Sequence, residues 1–318
     1  MFYPNRYARF LTLSLSLILL SLSSFASSSS ILPAPKKISD HVYAWIGPYG
    51  GPNPKNKGYR MNMAFVVGKK SVAVIDTGFY PAMAKEMVKH IKKITKLPIK
   101  YAINTGSQPH RFLGNDVFRQ SGANIVTSAK EATRMEQNGN NYLLMLENVM
   151  KMKKVSLPKA PNKIINKGTK LDLGGDVILD IHLHKAAHTP QPLIVHVPSD
   201  NIVYAGDILY SGRLLGIVAG GNIREWMDTY NYLKRFKGVT FIPGHGQPGS
   251  LATFQKSTFD YLVMLDKHMT KMLDDGVDMQ DAIRKLDQSA FSGLANFNDL
   301  AGRNANRAYQ EAERAAFE

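Results

Sequence analysis

Cysteine is absent from all 318 residues. That single absence excludes disulfides, thiolate metal sites, a cysteine nucleophile and a lipid-modified cysteine anchor. Any metal would have to be held by histidine and carboxylate. Acidic residues are scarce: 25 Asp and Glu against 40 Lys and Arg leave a formal charge of +15. The lysines are spread along the chain, and the densest patch, between Lys85 and Lys100, reads as the solvated face of an amphipathic helix. Basic residues interleaved with exposed aromatics, or a nucleic-acid motif, are missing. The charge therefore points to solubility and attraction to acidic partners or anionic surfaces, not to nucleic acid. A G-x-S-x-G elbow is also missing, and "GPYGG" (47–51) lacks the helix and lysine of a phosphate-cradling loop.

Long apolar runs are rare as well. The longest, "FLTLSLSLILLSLSSFA" (10–26), follows Arg6 and Arg9 and ends on Ser24-Phe25-Ala26. A positive start, an apolar stretch and small residues at its end predict a signal peptide cleaved near Ala26. The run is short and serine-rich for a membrane anchor, so we expect an exported, periplasmic protein with no transmembrane span in the mature chain. A Ser/Pro-rich linker is expected over 27–39.

The remaining length suffices for a well-buried core. Strands are predicted at His41–Ile46, Met63–Val67, Ser71–Gly78 and Lys100–Ile103, with a helix from Pro81 to about Leu97 and a short one over Asn115–Gln120. Residues Ser128–Lys153 read as two helices broken at "NGNN" (138–141), carrying Met135, Met145, Met150 and Met152. A dense β region follows over Lys163–Tyr204, then a helix over Asn222–Phe236, a strand at Val239–Ile242, and helices from Leu251 onward. The loop "GPYGGPNPKNKGYRMN" (47–62) is too punctuated by Gly, Pro and Asn for regular structure. Alternation of strands and helices with β meanders between predicts an α+β architecture of two sheets covered by helices.

Several polar residues directly follow apolar strands, where a rigid scaffold can present them. Asp207 ends "NIVYAGD", His245 lies in "VTFIPGHG", and His188 follows "VILDIHLHKAAHTP". The ordered set "VIDTG", "NTGSQPHRFLGN", "AHTP", "AGD" and "PGHG" resembles the metallo-β-lactamase superfamily over residues 40–249. More narrowly, "RMNMAFVVG" and "NANRAYQEAE" resemble exported zinc-metallohydrolase-like proteins associated with quinoprotein dehydrogenases. The resemblance implies an αββα sandwich over 40–249, with a C-terminal helical extension over 250–318.

It also implies a site. The family's H-x-H-x-D-H motif aligns without a gap between Asn104-Thr105 and Gly114-Asn115. Gly106 and Gln108 then stand where two ligands of the first metal would be, and His110 and Arg111 where two ligands of the second would be. His188, Asp207 and His245 match the remaining ligands, so four of the seven positions are substituted. Asp76 matches a residue that supports the site through hydrogen bonds.

Arginine stays charged and cannot coordinate a cation. We therefore expect an Arg111–Asp207 ion pair in place of the second metal. Two functions follow from the resemblance. One is a non-catalytic or weakly active binding or accessory protein for a small molecule or periplasmic partner, in a quinoprotein dehydrogenase setting. The other is a hydrolase with one remodelled zinc ion on His110, His188, Asp207 and His245, which would be a closed tetrahedral set. Zinc is thus expected as one ion at most, or none. His182 and His184 point to one face of a strand and read as a half-exposed sheet face. A Ser107–His110 nucleophile pair has little support beyond proximity in sequence.

Overall fold

Two strands, Val72–Ile75 and Ile202–Tyr210, apolar but for Asp207 in the second, are buried along their whole length. Strands buried on both faces must lie inside a sheet covered on each side, and the topology follows from that need. The computed structural model describes residues 30–317. The expected signal segment lies outside the described residues.

The first sheet contains seven strands in sequential order: β1 (Lys36–Lys37), β2 (Val42–Trp45), β3 (Met63–Val67), β4 (Val72–Ile75), β5 (Ile99–Ile103), β6 (Asn124–Ser128) and β7 (Lys163–Ile165). Strands β1 to β4 pair antiparallel, and β4 to β7 pair parallel. The second sheet runs β12-β11-β10-β9-β8, with β8 (Thr169–Asp172), β9 (Ile178–Leu183), β10 (Leu193–Val197), β11 (Ile202–Tyr210) and β12 (Thr240–His245). All its pairs are antiparallel except β11 with β12.

Between the sheets lies one apolar layer, with Val66, Ile75, Ile103, Ile181, Val195 and Ile242 among its members. Helices α1 (Pro81–Ile94), α2 (Pro109–Phe112), α3 (Asn115–Gln120) and α4 (Ala129–Met150) lie in the first half of the chain. Their buried residues, such as Met83, Phe118 and Leu146, share a second layer with Val72, Val74 and Phe65 of the first sheet. The third layer joins Val203 and Phe241 of the second sheet to α5 (Ile223–Leu233), α6 (Tyr261–Asp274), α7 (Met279–Lys285) and α8 (Phe297–Phe317). The fold is the expected α+β sandwich with C-terminal helices. Among the described residues no helix is long and apolar enough to cross a membrane.

Three local expectations differ from the structure. Helix α4 runs unbroken from Ala129 to Met150 through "NGNN". Its N-terminus is capped by Ser128, whose hydroxyl accepts from Glu131 N at 3.3 Å, and Gly139 leaves room for Leu157 to pack against the helix. Strand β11 does not end at Asp207 but bulges at Gly206 and continues to Tyr210. From Ile31 onward the expected linker is docked: Leu32 is buried, Ile31 N donates to the Glu86 carboxylate at 2.8 Å, and Lys36 pairs with Ala44.

Candidate functional site

Beyond β5 the chain enters α2 with Pro109 at a first-turn position, where a fixed φ and a missing N–H cost nothing. This short turn delivers Arg111 inward, beneath the sheet ends, where it is fully buried. Its guanidinium forks onto Asp207, with Nε 3.1 Å from Oδ2 and Nη2 2.6 Å from Oδ1. Nη1 donates to Asp76 Oδ2 and to the Asn62 carbonyl, both at 2.8 Å, and lies 3.1 Å from the Tyr204 hydroxyl. Nη2 also reaches the Gly244 carbonyl at 3.2 Å. The expected Arg111–Asp207 pair is present, and Asp76 makes it a triad.

Asp76 sits at the end of β4 with φ of 62°, a conformation aspartate tolerates better than most residues. Its carboxylate accepts from Thr105 N at 2.8 Å and from the Tyr204 hydroxyl at 2.9 Å. Gly244 is required by the same cluster: a Cβ there would collide with Asp207 Oδ1 and stand 2.6 Å from Arg111 Nη2. Burial alone would raise the Asp207 pKa. The Arg111 charge, with hydrogen bonds from His110 and His245, holds it well below the usual carboxylate range.

Two histidines flank that carboxylate. His110 Nε2 is 3.2 Å from Asp207 Oδ2, and His245 Nε2 is 3.3 Å from Oδ1. Burial, reinforced by the Arg111 charge, pushes the His110 imidazole down to about 3. Burial also carries His245 well below its ordinary value and lowers His188. All three rings are therefore neutral near pH 7. His110 Nδ1 is buried without a hydrogen-bond partner, whereas His245 Nδ1 lies 2.9 Å from the Arg60 carbonyl.

Ligand atoms of His110, Asp207 and His245 all lie within 4.8 Å of one another. His188 stands outside that group, its Nδ1 held 2.8 Å from the Gly216 carbonyl. The four-residue set expected from sequence is thus split, three together and one apart. The His188 Nδ1 is taken by a carbonyl of the loop that follows β11. A second group, Asp180, His182 and His196, meets the same distance limit on the half-buried outer face of β9 and β10. Its His182 is packed against Phe236 with ring centroids 5.1 Å apart, and His184 stacks on Tyr232 at 4.3 Å.

Above the triad opens a cavity of about 600 Å³. Gln108, His110, His188 and His245 line it; Arg111, Asp207 and Gly106 do not. At Gly106 a Cβ would stand 3.3 Å from Thr189 Oγ1, so Thr189 covers that position. Ser107 is fully buried and makes no bond to His110. The Gly/Pro loop contributes Arg60, and α4 contributes Tyr142 and Met145. Arg60, Arg213 and the α8 residues Leu300 and Arg303 also line the cavity, and sequence reasoning missed all four. They converge from positions 60, 213 and 297–317, and no short motif links such distant segments.

The profile of the metallo-beta-lactamase superfamily matches residues 58–245. Among solved structures, a metallo-beta-lactamase from Pontibacter korlensis is similar at 20% identity and a TM-score of 0.59, covering 72% of this chain and 98% of its own. TMB-1, studied for substrate and inhibitor binding, is similar at 18% identity and a TM-score of 0.56, over 70% of this chain and 94% of its own. VMB-1 is similar at 19% identity with the same TM-score of 0.56, over 70% and 93%. Likeness at these identities speaks for the fold alone. The profile match spans the loop before β3 through His245 at the end of β12, and on that ground the chain belongs to the metallo-beta-lactamase superfamily.

Proposed function

We propose that this is an exported binding or accessory protein that uses the metallo-β-lactamase fold without its two-metal centre. The observation that carries the reading is Arg111, fully buried and bonded to both oxygens of Asp207 and to Asp76. Zinc fits this donor set poorly. Gly106 offers no donor atom, and both Asp207 oxygens already accept from Arg111. The guanidinium also holds positive charge against the Asp207 carboxylate, on the side a second metal would take. A metal-bound hydroxide is what drives hydrolysis in such sites, so no hydrolytic step is assigned to these residues. Resemblance of "RMNMAFVVG" and "NANRAYQEAE" to quinoprotein-associated relatives supports a periplasmic accessory role in that setting.

The second reading, a hydrolase with one remodelled zinc, is favoured by the convergence of His110, Asp207 and His245. Metal analysis separates the two. Tag-free mature protein is challenged with zinc, desalted, and measured by elemental mass spectrometry beside His245→Ala and His196→Ala. The second variant is needed because Asp180, His182 and His196 offer a separate set of three ligands. Under the metal-free reading, retained zinc is insensitive to His245→Ala. About one equivalent that survives His196→Ala and vanishes with His245→Ala would establish the remodelled site instead.

A further inference from the structure

Among the described residues, two guanidinium groups in the cleft make no ion pair, although the Asp207 charge is felt by both. Arg213 is buried and Arg60 largely so, yet among the described residues neither has a carboxylate within 4.0 Å. Arg60 Nε is buried with no hydrogen-bond partner. Arg213 gives Nε to the Leu214 carbonyl at 3.1 Å and sets Nη1 3.3 Å from His245 Nδ1. Burial, then the neighbouring Arg213 charge, pushes Arg60 down to about 10, and burial lowers Arg213 as well; a guanidinium nonetheless stays cationic at neutral pH. Asp207 is already occupied by Arg111, His110 and His245. The acidic group on the cavity wall, Asp299, is exposed at the rim; its charge acts on Arg213 from beyond ion-pair distance.

Like charges brought together out of water are costly unless an opposite charge sits with them. A planar guanidinium fork is shaped for a carboxylate or phosphate. The rest of the wall decides between these. Phe79, Tyr142, Met145, Tyr210, Val218 and Leu300 surround the space with aromatic and aliphatic surface, and no lysine lines it. A cavity of about 600 Å³ lies in the range of small-ligand sites, which are mainly apolar with a few placed polar groups. His188, with Nδ1 on the Gly216 carbonyl, keeps Nε2 as an acceptor.

We infer that this cleft is a receptor for a small organic carboxylate, its charge held between Arg60 and Arg213 and its apolar body against Tyr142, Met145, Tyr210 and Leu300. The inference rests on the metal-free reading, because a resident cation would compete for the same anion. The arginine pair orients the carboxylate, Arg303 draws it in from the mouth, and Arg111 below stays engaged with Asp207.

The test is calorimetric titration of the full mature chain, chelator-treated or zinc-loaded. Benzoate and phenylacetate are compared with their neutral amides and with inorganic phosphate. In chelated protein each carboxylate should bind saturably, at least about tenfold tighter than its amide and tighter than phosphate. Arg60→Gln and Arg213→Gln should each weaken binding about tenfold or more, and Arg303→Gln about twofold. Thermal melts check folding. If Arg213→Gln does not fold, Arg213→Lys keeps the charge without the fork and should still weaken carboxylate binding several-fold. Equal affinity for acid and amide, phosphate preferred, or binding untouched in both Arg60 and Arg213 variants overturns the inference. So does the absence of saturable binding up to about 10 mM in either protein, an outcome that leaves the metal-free reading standing. Binding in zinc-loaded protein alone overturns both.

Discussion

Arg111 takes both oxygens of one carboxylate, reaching Asp207 Oδ1 at 2.6 Å and Oδ2 at 3.1 Å across 96 residues of sequence. The two groups are charged, buried and mutually satisfied, and Asp76 shares the same guanidinium. Breaking such a cluster from one side leaves a bare charge inside the protein, which costs more than the pair contributes in place.

Arg111→Ala should therefore destabilise the protein by about 3–5 kcal/mol. Urea unfolding of Arg111→Ala, Asp207→Asn and the double variant forms a cycle. The double variant should lose well under the sum of the two single losses, because removing both charges removes the orphan. Additive losses would show that the two residues act separately. Zinc affinity in the cleft should rise in Arg111→Ala, read as metal retained and then lost on adding His245→Ala.

Gly244→Ala tests the close approach from the backbone side. Its added methyl would meet Asp207 Oδ1, Arg111 Nη2 and the Gly206 carbonyl carbon. Overpacking of this kind typically costs about 1–3 kcal/mol, and here it also spreads the ion pair. A melting temperature unchanged from wild type would mean that the cluster is far more compliant than its packing indicates.

Acid stability has a definite sign. His110 titrates at about 3 in the folded protein, and His245 well below its ordinary value, because both are buried. An unfolded histidine binds a proton near pH 6.5. Between roughly 6.5 and 3 the unfolded chain thus binds more protons than the native one, and stability falls as pH falls. In that window His110 contributes up to ~1.4 kcal/mol per pH unit, and His245 acts with the same sign below about pH 6.5. Asp207 acts lower down: its folded pKa is depressed, so its contribution is intact above about pH 4 and disappears as pH drops through the folded value. His110→Gln should flatten the slope of urea midpoints between pH 6 and 4. An unaltered slope would show that His110 is not held neutral.

Asn304 ties α8 to the cleft. Its side chain accepts from Ile217 N at 2.8 Å and donates to the Leu215 carbonyl at 2.8 Å and the Tyr261 hydroxyl at 3.2 Å. Asn304→Ala would strand two buried backbone groups, at about 1–3 kcal/mol each. Chemical unfolding should register that loss, and limited proteolysis should find new cleavage within 211–220.

Much of the sandwich was legible because its signals are local. The runs "MAFVV" and "VAVI" are β-branched, apolar and bounded by turn residues, which marks them as strands, and Asn104 and Asn115 fixed the motif's register closely enough to pair Arg111 with Asp207 from sequence. What escaped depends on distant encounters. Asn62 and Tyr204 reach the guanidinium from 49 and 93 residues away, and Arg60 and Arg213 meet across a cleft that no periodicity describes. The expected break in α4 failed for a related reason: three asparagines and Gly139 weaken a helix by roughly 3 kcal/mol together, which burial of Met135, Leu146 and Met150 against the first layer offsets. Asp207 looked like a strand terminus because glycine and aspartate usually mark one; Gly206, at φ of 55°, bends β11 without ending it.

The positive charge beside Asp207 is covalently part of the polypeptide. It is delivered in fixed stoichiometry with every folded molecule, cannot be stripped by a chelator, and cannot be exchanged for a competing ion. Here the Asp207 carboxylate has its counter-charge as soon as the chain has folded.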